Sequence, residues 1–558
     1  MTASAATAPA WQRGRVASWL VATDHKRIGI LYVATGLVFF CLASFMALVF
    51  RLQLSQANGG VLGADRFHEL LSVSDTSLVF FVIIPLFAGL GNHLVPLMIG
   101  TTNVAFPRLN TLSYWLFVFG GATLLLSFFA DGGATRSGWT ADLPLAAQAP
   151  GNGQDYWVLA VLFVTASALA CAINFIVTIH NLRTPGMTWT RMPLFVWSIE
   201  LYAWLLMAVL PVVGAGLILL LLDRGISFGP WDIHKRFFSS AEGGSALDRN
   251  AFWFLGHPEI CVLVLPVIGI ISEVLPVFAR KPIVGYKAIV AAMTALVAFT
   301  AAIVFLSMIV WGREASSVDL PVSLRVLSVL AALAVAVPFG IIVVSWLATL
   351  WRGSVRFDSA MLYVLGFLVV IVTGLITGIY LAALPIDSDV RNSYFAVAQF
   401  HYAVVGSTLF AVFAGLFYWW PKMFGRRLSE RLGKWQFWFL LIGFNVAFIM
   451  QFIVGHKGMP RGIDTYSDES WEGYNLASTV AYYVMGIAII FFVVNVWRTT
   501  GHGTRVGNDP WQADTLEWYT TSPPPPHDFD EVPSVTSARP LNDLRRKLHE
   551  QRREREPV

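Results

Sequence analysis

Twelve apolar stretches of bilayer-crossing length recur along the chain, near residues 28 to 51, 73 to 101, 112 to 130, 156 to 179, 192 to 222, 251 to 279, 284 to 311, 324 to 350, 360 to 384, 393 to 421, 435 to 456 and 474 to 497. About 20 apolar residues in a helix span the hydrocarbon layer. Inside that layer every backbone N–H and C=O needs a partner within the protein, and segments this long meet that demand as helices. The reading is therefore an all-α, polytopic membrane protein with twelve transmembrane helices. Composition agrees, since 56% of the 558 residues are hydrophobic and 13% charged, more apolar surface than a water-soluble globule can cover.

The net charge of +4 does not point to nucleic acid, because the cationic residues sit in short loops and the tail. With the N-terminus inside, Lys26, Arg27, Arg183, Arg191, Arg280, Lys281, Arg352, Arg356 and the cluster from Lys422 to Lys434 fall on one side, which predicts cytoplasmic termini. The organisation expected is a cytoplasmic segment over 1–23, a bundle over 24–500, and a tail over 501–558 that carries Pro523 to Pro526 and a charged run from Arg545 to Arg555. Such a tail reads as extended and solvated. The loops Asp223 to Asn250 and Lys457 to Asn475 suit contact with partner subunits. Cys41, Cys171 and Cys261 lie in apolar segments without a C-x-x-C pair, so no disulfide framework or thiolate zinc site is indicated. No removable signal peptide is evident in the first 20 residues, and the first span is expected to anchor the chain.

Motifs in a fixed order carry more. TDHKRIGILY from Thr23, GNHLVPLMIG from Gly91, AFPRLNTLSYW from Ala105, SGWTADLPL from Ser137 and FWFLGHPEI from Phe252 are followed by GIISEVLPVFARKPIVGY from Gly269, SWLATLWRGS from Ser345, QFHYA from Gln399, GMPR from Gly458 and DPWQADTLEW from Asp509. In these stretches, spread over roughly Thr23 to Phe529, the chain resembles subunit I of the A-type haem-copper oxidases, the cytochrome c oxidase branch. The resemblance implies a twelve-helix bundle whose histidines hold a six-coordinate haem, a five-coordinate haem and a copper ion, where oxygen becomes water.

Haem iron needs imidazole on its axis and this copper needs converging neutral imidazoles, so each implied position either carries the chemistry or does not. The first ligand of the six-coordinate haem corresponds to Ser74, counted back from Pro85, with His68 nearly two helical turns away. The family's H-F-H triplet reads Gln399, Phe400, His401, which removes the ligand of the oxygen-binding haem and keeps that of the six-coordinate one. Of the copper ligands His257 matches, while the adjacent pair falls on Leu306 and Ser307. The tyrosine near the copper becomes Cys261, the two proton-entry residues become Asn103 and Ile342, and the magnesium pair reads Arg391 and Asn392.

Glu259 matches the family's internal proton relay, now without a destination, and His257 and Glu259 are read as remnants with no catalytic role. A carboxyl in a bilayer core is costly, which is why Glu259 is weighed at all. His401, Trp139 and Arg461 are the cofactor-binding candidates if one haem is retained, and Ser74 or Asp75 is expected to hydrogen-bond His401, directly or through water, if none is. Haem-sized spaces would cost many kcal/mol if dry, so side chains, lipid or helix closure are expected to fill them. No metal and no copper are expected, and at most one haem. The resemblance then implies a degenerate, non-catalytic subunit I homologue in a prokaryotic plasma membrane, a scaffold for subunit II-like or III-like proteins or another respiratory complex. Two alternatives are a haem-containing electron-transfer or terminal oxidase subunit with an altered site at His401, and a proton or small-molecule conduit through the haem spaces using Glu259.

Overall fold

A computed structural model describes residues 17–141, 145–228, 231–233, 244–314, 322–382, 390–532 and 535–555, with side chains outside the description at 17, 20, 226–228, 231–233, 244–260, 303–314, 322–333, 382 and 548–555. The long helices are α1 (His25–Gln53), α2 (Ala64–Ile99), α3 (Pro107–Leu126), α4 (Gly153–Asn181), α5 (Leu194–Arg224), α6 (Gly244–Ala279), α7 (Tyr286–Glu314), α8 (Val322–Leu350), α9 (Ser359–Ala382), α10 (Tyr394–Phe424), α11 (Glu430–His456) and α12 (Glu472–His502). Strand structure among the described residues is confined to two short antiparallel pairs, Ile226–Phe228 with Trp231–Ile233 and Arg426–Arg427 with Thr504–Arg505. The molecule is thus the all-α membrane bundle that the apolar pattern predicts.

Ten helices among the described residues are long and apolar enough to cross a bilayer, where twelve are predicted. The difference lies in α7 and α8, whose described apolar stretches are the shorter Tyr286–Ala302 and Ala334–Leu350. Both coincide with predicted spans.

Local chemistry sets the helix ends. The Asp24 carboxylate accepts from Lys26 N at 3.0 Å and caps α1, Gly100 turns left-handed after α2, and Pro107 opens α3 where no backbone donor is needed. α1 and α2 cross closely at paired glycines, where a Cβ on Gly29 would stand 2.7 Å from the Gly89 carbonyl oxygen and one on Gly89 would stand 2.8 Å from that of Gly29. Small residues of this kind let membrane helices gain dispersion contacts that lipid cannot offer. α2 and α10 each contain a π-helical segment, Ser77–Ile83 and His401–Gly406, directly beside residues singled out above.

The tail departs from expectation. After α12 the chain folds back onto the end of the bundle where α1 begins. Asp528, fully buried, accepts from His25 Nε2 at 2.8 Å and from Lys26 Nζ. Lys422 of α10 donates to the carbonyl oxygens of Thr520 (2.8 Å), Thr521 (3.2 Å) and Asn508 (3.3 Å). Trp511 donates to Tyr418 O at 2.9 Å and Trp518 to the Tyr418 hydroxyl at 3.0 Å. The tail is therefore packed rather than extended and solvated, because its Trp511, Leu516 and Trp518 gain burial that proline and charge content concealed. Its charged run is helical within α13 (Pro540–Arg555), with Arg545 paired to Asp509 at 2.6 Å.

Candidate functional site

His401 begins the π segment of α10. Its Nδ1 lies 2.8 Å from the carbonyl oxygen of Val397 one turn earlier, and a carbonyl only accepts, so Nδ1 carries the proton. In the neutral ring the lone pair is then on Nε2, the nitrogen suited to a metal or an external donor. The ring stacks on Phe448 of α11 with centroids 4.3 Å apart and planes at 22°. The imidazole is held on both counts, in tautomer and in tilt.

A cavity of about 530 Å³ opens beside it, bordered by Ser74 and Asp75 of α2, Arg51 of α1, Trp139, His401 and Arg461. Three of the sequence candidates therefore meet at one place. Trp139 stacks on Phe400, the neighbour of His401, at 6.0 Å and 26°. Arg461 borders the cavity, and its backbone N–H donates to Asn392 O at 2.9 Å. His68 also borders the cavity, about 9 Å along α2 from Ser74 by helical rise.

The direct form of the expected hydrogen bond to His401 is absent among the described residues. Ser74 Oγ donates to the Ala43 carbonyl at 3.1 Å, and among the described residues neither Ser74 nor Asp75 hydrogen-bonds His401. The serine sits against the backbone of α1, and a hydroxyl in an apolar bundle takes the nearest unshared carbonyl lone pair. Among the described residues, side chains and helix packing leave about 530 Å³ open at His401, so of the expected fillers lipid is the one still open.

Arg51 was not foreseen. An arginine near the end of a predicted span reads as a boundary charge reaching for water, yet Arg51 is 1% exposed. Its Nη2 donates to Asn475 O (3.3 Å), Asn475 Oδ1 (3.4 Å) and Thr479 Oγ1 (3.5 Å), and its guanidinium lies over Tyr394 and Tyr482 at 5.9 and 5.5 Å. Nε and Nη1 are buried without hydrogen-bond partners among the described residues. A fixed positive charge thus stands at the edge of the cavity with donors to spare. A second unforeseen feature is a buried polar junction of α1, α3 and α4, where the Tyr32 hydroxyl lies 3.0 Å from both Ser113 Oγ and Ser167 Oγ. Isolated serines in apolar runs gave no sequence signal, because only helix packing brings them together.

The remaining candidates fall elsewhere. The side chains of His257, Glu259, Leu306 and Ser307 lie outside the described residues. Cys261 is a buried free thiol, Ile342 is fully buried, and Asn103 Oδ1 accepts from Val104 N at 2.9 Å as a loop anchor. Among the described residues no group of three or more His, Cys, Asp or Glu side chains is placed to hold a metal ion. Donor chemistry decides the rest: Gln399, Leu306 and Ser307 supply no imidazole, so the residues do not fit copper and its neighbouring haem. The residues at the cavity fit one porphyrin: His401 would hold the iron through its unprotonated Nε2, Phe400 and Trp139 would supply an aromatic wall, and Arg51 and Arg461 would offer cations to its acidic groups. A haem held there would supply one-electron chemistry.

The chain is similar to known proteins over most of its length. Residues 27–484 match the model of the family "Cytochrome C and Quinol oxidase polypeptide I". A probable cytochrome c oxidase subunit 1-alpha of Streptomyces avermitilis is 41% identical over 534 residues, covering 95% of this chain and 90% of that one. Cytochrome c oxidase subunit 1 of Bacillus subtilis is 39% identical over 543 residues, covering 97% and 85%. A solved haem-copper terminal oxidase dimer shares the fold with a TM-score of 0.68 at 17% identity, over 88% of this chain and 85% of that one. With the bundle, the motif order and a family match over most of its length, the chain belongs to the haem-copper oxidase subunit I family, and among its described residues no cluster of side chains is placed to hold a metal ion.

Proposed function

We propose that this protein is a non-catalytic subunit I homologue, unable to reduce oxygen, that serves as a membrane scaffold or partner subunit in a respiratory-type complex. One observation carries the reading: the positions that would touch copper and the oxygen-binding haem read Gln399, Leu306, Ser307 and Cys261, while the motifs that build the bundle and its packed tail are kept. Twelve crossings with both termini in the cytoplasm of a bacterial plasma membrane suit the basic-loop pattern and the contact of Asp528, after α12, with His25 at the start of α1. Subunit II-like or III-like proteins are the partners such a surface would retain, and a neighbour solved as a dimeric terminal oxidase fits assembly into a larger complex. The test is mild detergent extraction from native membranes, identification of co-purifying subunits, and metal analysis. A stable complex with subunit II-like or III-like proteins and no copper is expected. A monomer with stoichiometric copper would sink the proposal.

The cavity favours a second reading, in which one haem is retained on His401. It rests on the available Nε2 lone pair and on about 530 Å³ of space kept beside it. A reduced-minus-oxidised absorbance spectrum decides it: a stoichiometric haem band lost in His401→Ala supports it, and a protein with no haem band removes it.

A further inference from the structure

The two walls of the cavity differ in what they offer iron. On the α10 side His401 is oriented, singly protonated at Nδ1 and buttressed by Phe448. On the α2 side stand Ser74, whose hydroxyl is spent on the Ala43 carbonyl, and Asp75, a carboxylic side chain with no hydrogen bond among the described residues. A neutral hydroxyl is a weak iron ligand, and a carboxylate oxygen is a hard donor that suits ferrous iron poorly. The other imidazole on the cavity wall, His68, is about 9 Å along the helix from Ser74. Met485 of α12 also borders the cavity, and its Cγ lies where it would meet a Cβ on Gly443 of α11, 2.8 Å away, so it is packed into the helix seam.

We propose that the His401 cavity holds iron porphyrin through a single protein nitrogen, leaving the face toward Ser74 and Asp75 open to small diatomic ligands such as carbon monoxide. This rests on the second reading above, and it changes the chemistry of the site. An iron closed by two imidazoles passes electrons and excludes ligands, whereas one with a single imidazole and an open face binds them. Asp75 stands on the open side as a hydrogen-bonding group for whatever binds there, in the position next to the one that the resemblance assigns to the missing ligand. The site would then be a gas-binding haem in a subunit that has lost its oxygen-reducing centre.

The experiment is a carbon monoxide difference spectrum of the dithionite-reduced, full-length protein, purified from a host supplied with haem, alongside His401→Ala and Met485→Leu. Expected is a complete shift of the Soret band with one carbon monoxide per haem in the wild type and in Met485→Leu. A haem present at one per chain but unmoved by carbon monoxide overturns the inference while leaving the haem reading intact. Should Met485→Leu alone respond, Met485 is the sixth ligand and the inference is equally overturned. A wild-type protein that takes up no haem refutes the second reading itself and this inference with it.

Discussion

Asp528 offers the sharpest test of how the tail is held. Its carboxylate is fully buried, with His25 Nε2 at 2.8 Å and Lys26 Nζ as partners, and His25 Nδ1 is already committed to Asn92 O at 2.7 Å. In Asp528→Ala both donors lose their acceptor in a site closed to water. Lys26 keeps Asp24 at 3.1 Å, so its loss is softened, while His25 is left with an unpaired ring nitrogen. Removing one partner of a buried ion pair costs about 3 to 5 kcal/mol, and the surviving Lys26 contact argues for the lower end, about 3 kcal/mol. The assay is thermal unfolding in detergent together with limited proteolysis that reads release of the segment after α12. Asp530→Ala is the control, because its pair with His527 at 2.7 Å is exposed, and it should match the wild type. Unchanged melting and unchanged protease protection in Asp528→Ala would refute the view that this buried pair anchors the tail.

Three further outcomes are expected. Burial pushes the Glu517 carboxyl up from 4.5 to about 7 despite its hydrogen bond from Thr515 at 2.8 Å, so the folded state holds a proton there that the unfolded chain has lost. Stability from this group is full below pH 4.5 and falls as pH rises through 7, by about 3 kcal/mol at roughly 1.36 kcal/mol per unit, so Glu517→Gln should flatten the melting-temperature profile over that window. Gly29→Ala places a Cβ 2.7 Å from the Gly89 carbonyl oxygen, and overpacking of this kind costs about 1 to 3 kcal/mol, read as a lowered melting temperature; an unchanged value would show that α1 and α2 separate freely. Arg51→Met removes a buried charge whose Nε and Nη1 lack partners among the described residues, so the apoprotein should lose less stability than the count of its Nη2 hydrogen bonds suggests, whereas any haem uptake should fall several-fold.

The cavity at His401 separates the two functional readings. With Ser74 in place of an imidazole nothing obliges the helices to stay apart, yet α2 and α10 carry π segments and leave a space between them. π-helical turns are associated with functional sites because they displace one side chain relative to the regular helix. Here they place His401 at the cavity and Asp75 across its border. The scaffold proposal needs only the helix surfaces and the tail; the haem reading needs this cavity as well.

What the sequence determined by itself is what depends on composition and spacing along one segment. Twelve apolar stretches imposed a helical membrane bundle, since backbone groups in lipid have no alternative partner, and the order of motifs placed Ser74, Gln399 and His401 in a known family of sites. Loss of an imidazole is an identity, visible without coordinates. Only the tertiary structure decided what depends on distant segments meeting. The hydroxyl of Ser74 turned to Ala43, Arg51 was buried under Tyr394 and Tyr482, and the tail was drawn onto His25 and Tyr418. Each of these outcomes is a competition among partners more than 30 residues apart in the chain for a polar group that low dielectric forbids to stand alone, and a linear sequence does not display which partner is nearest.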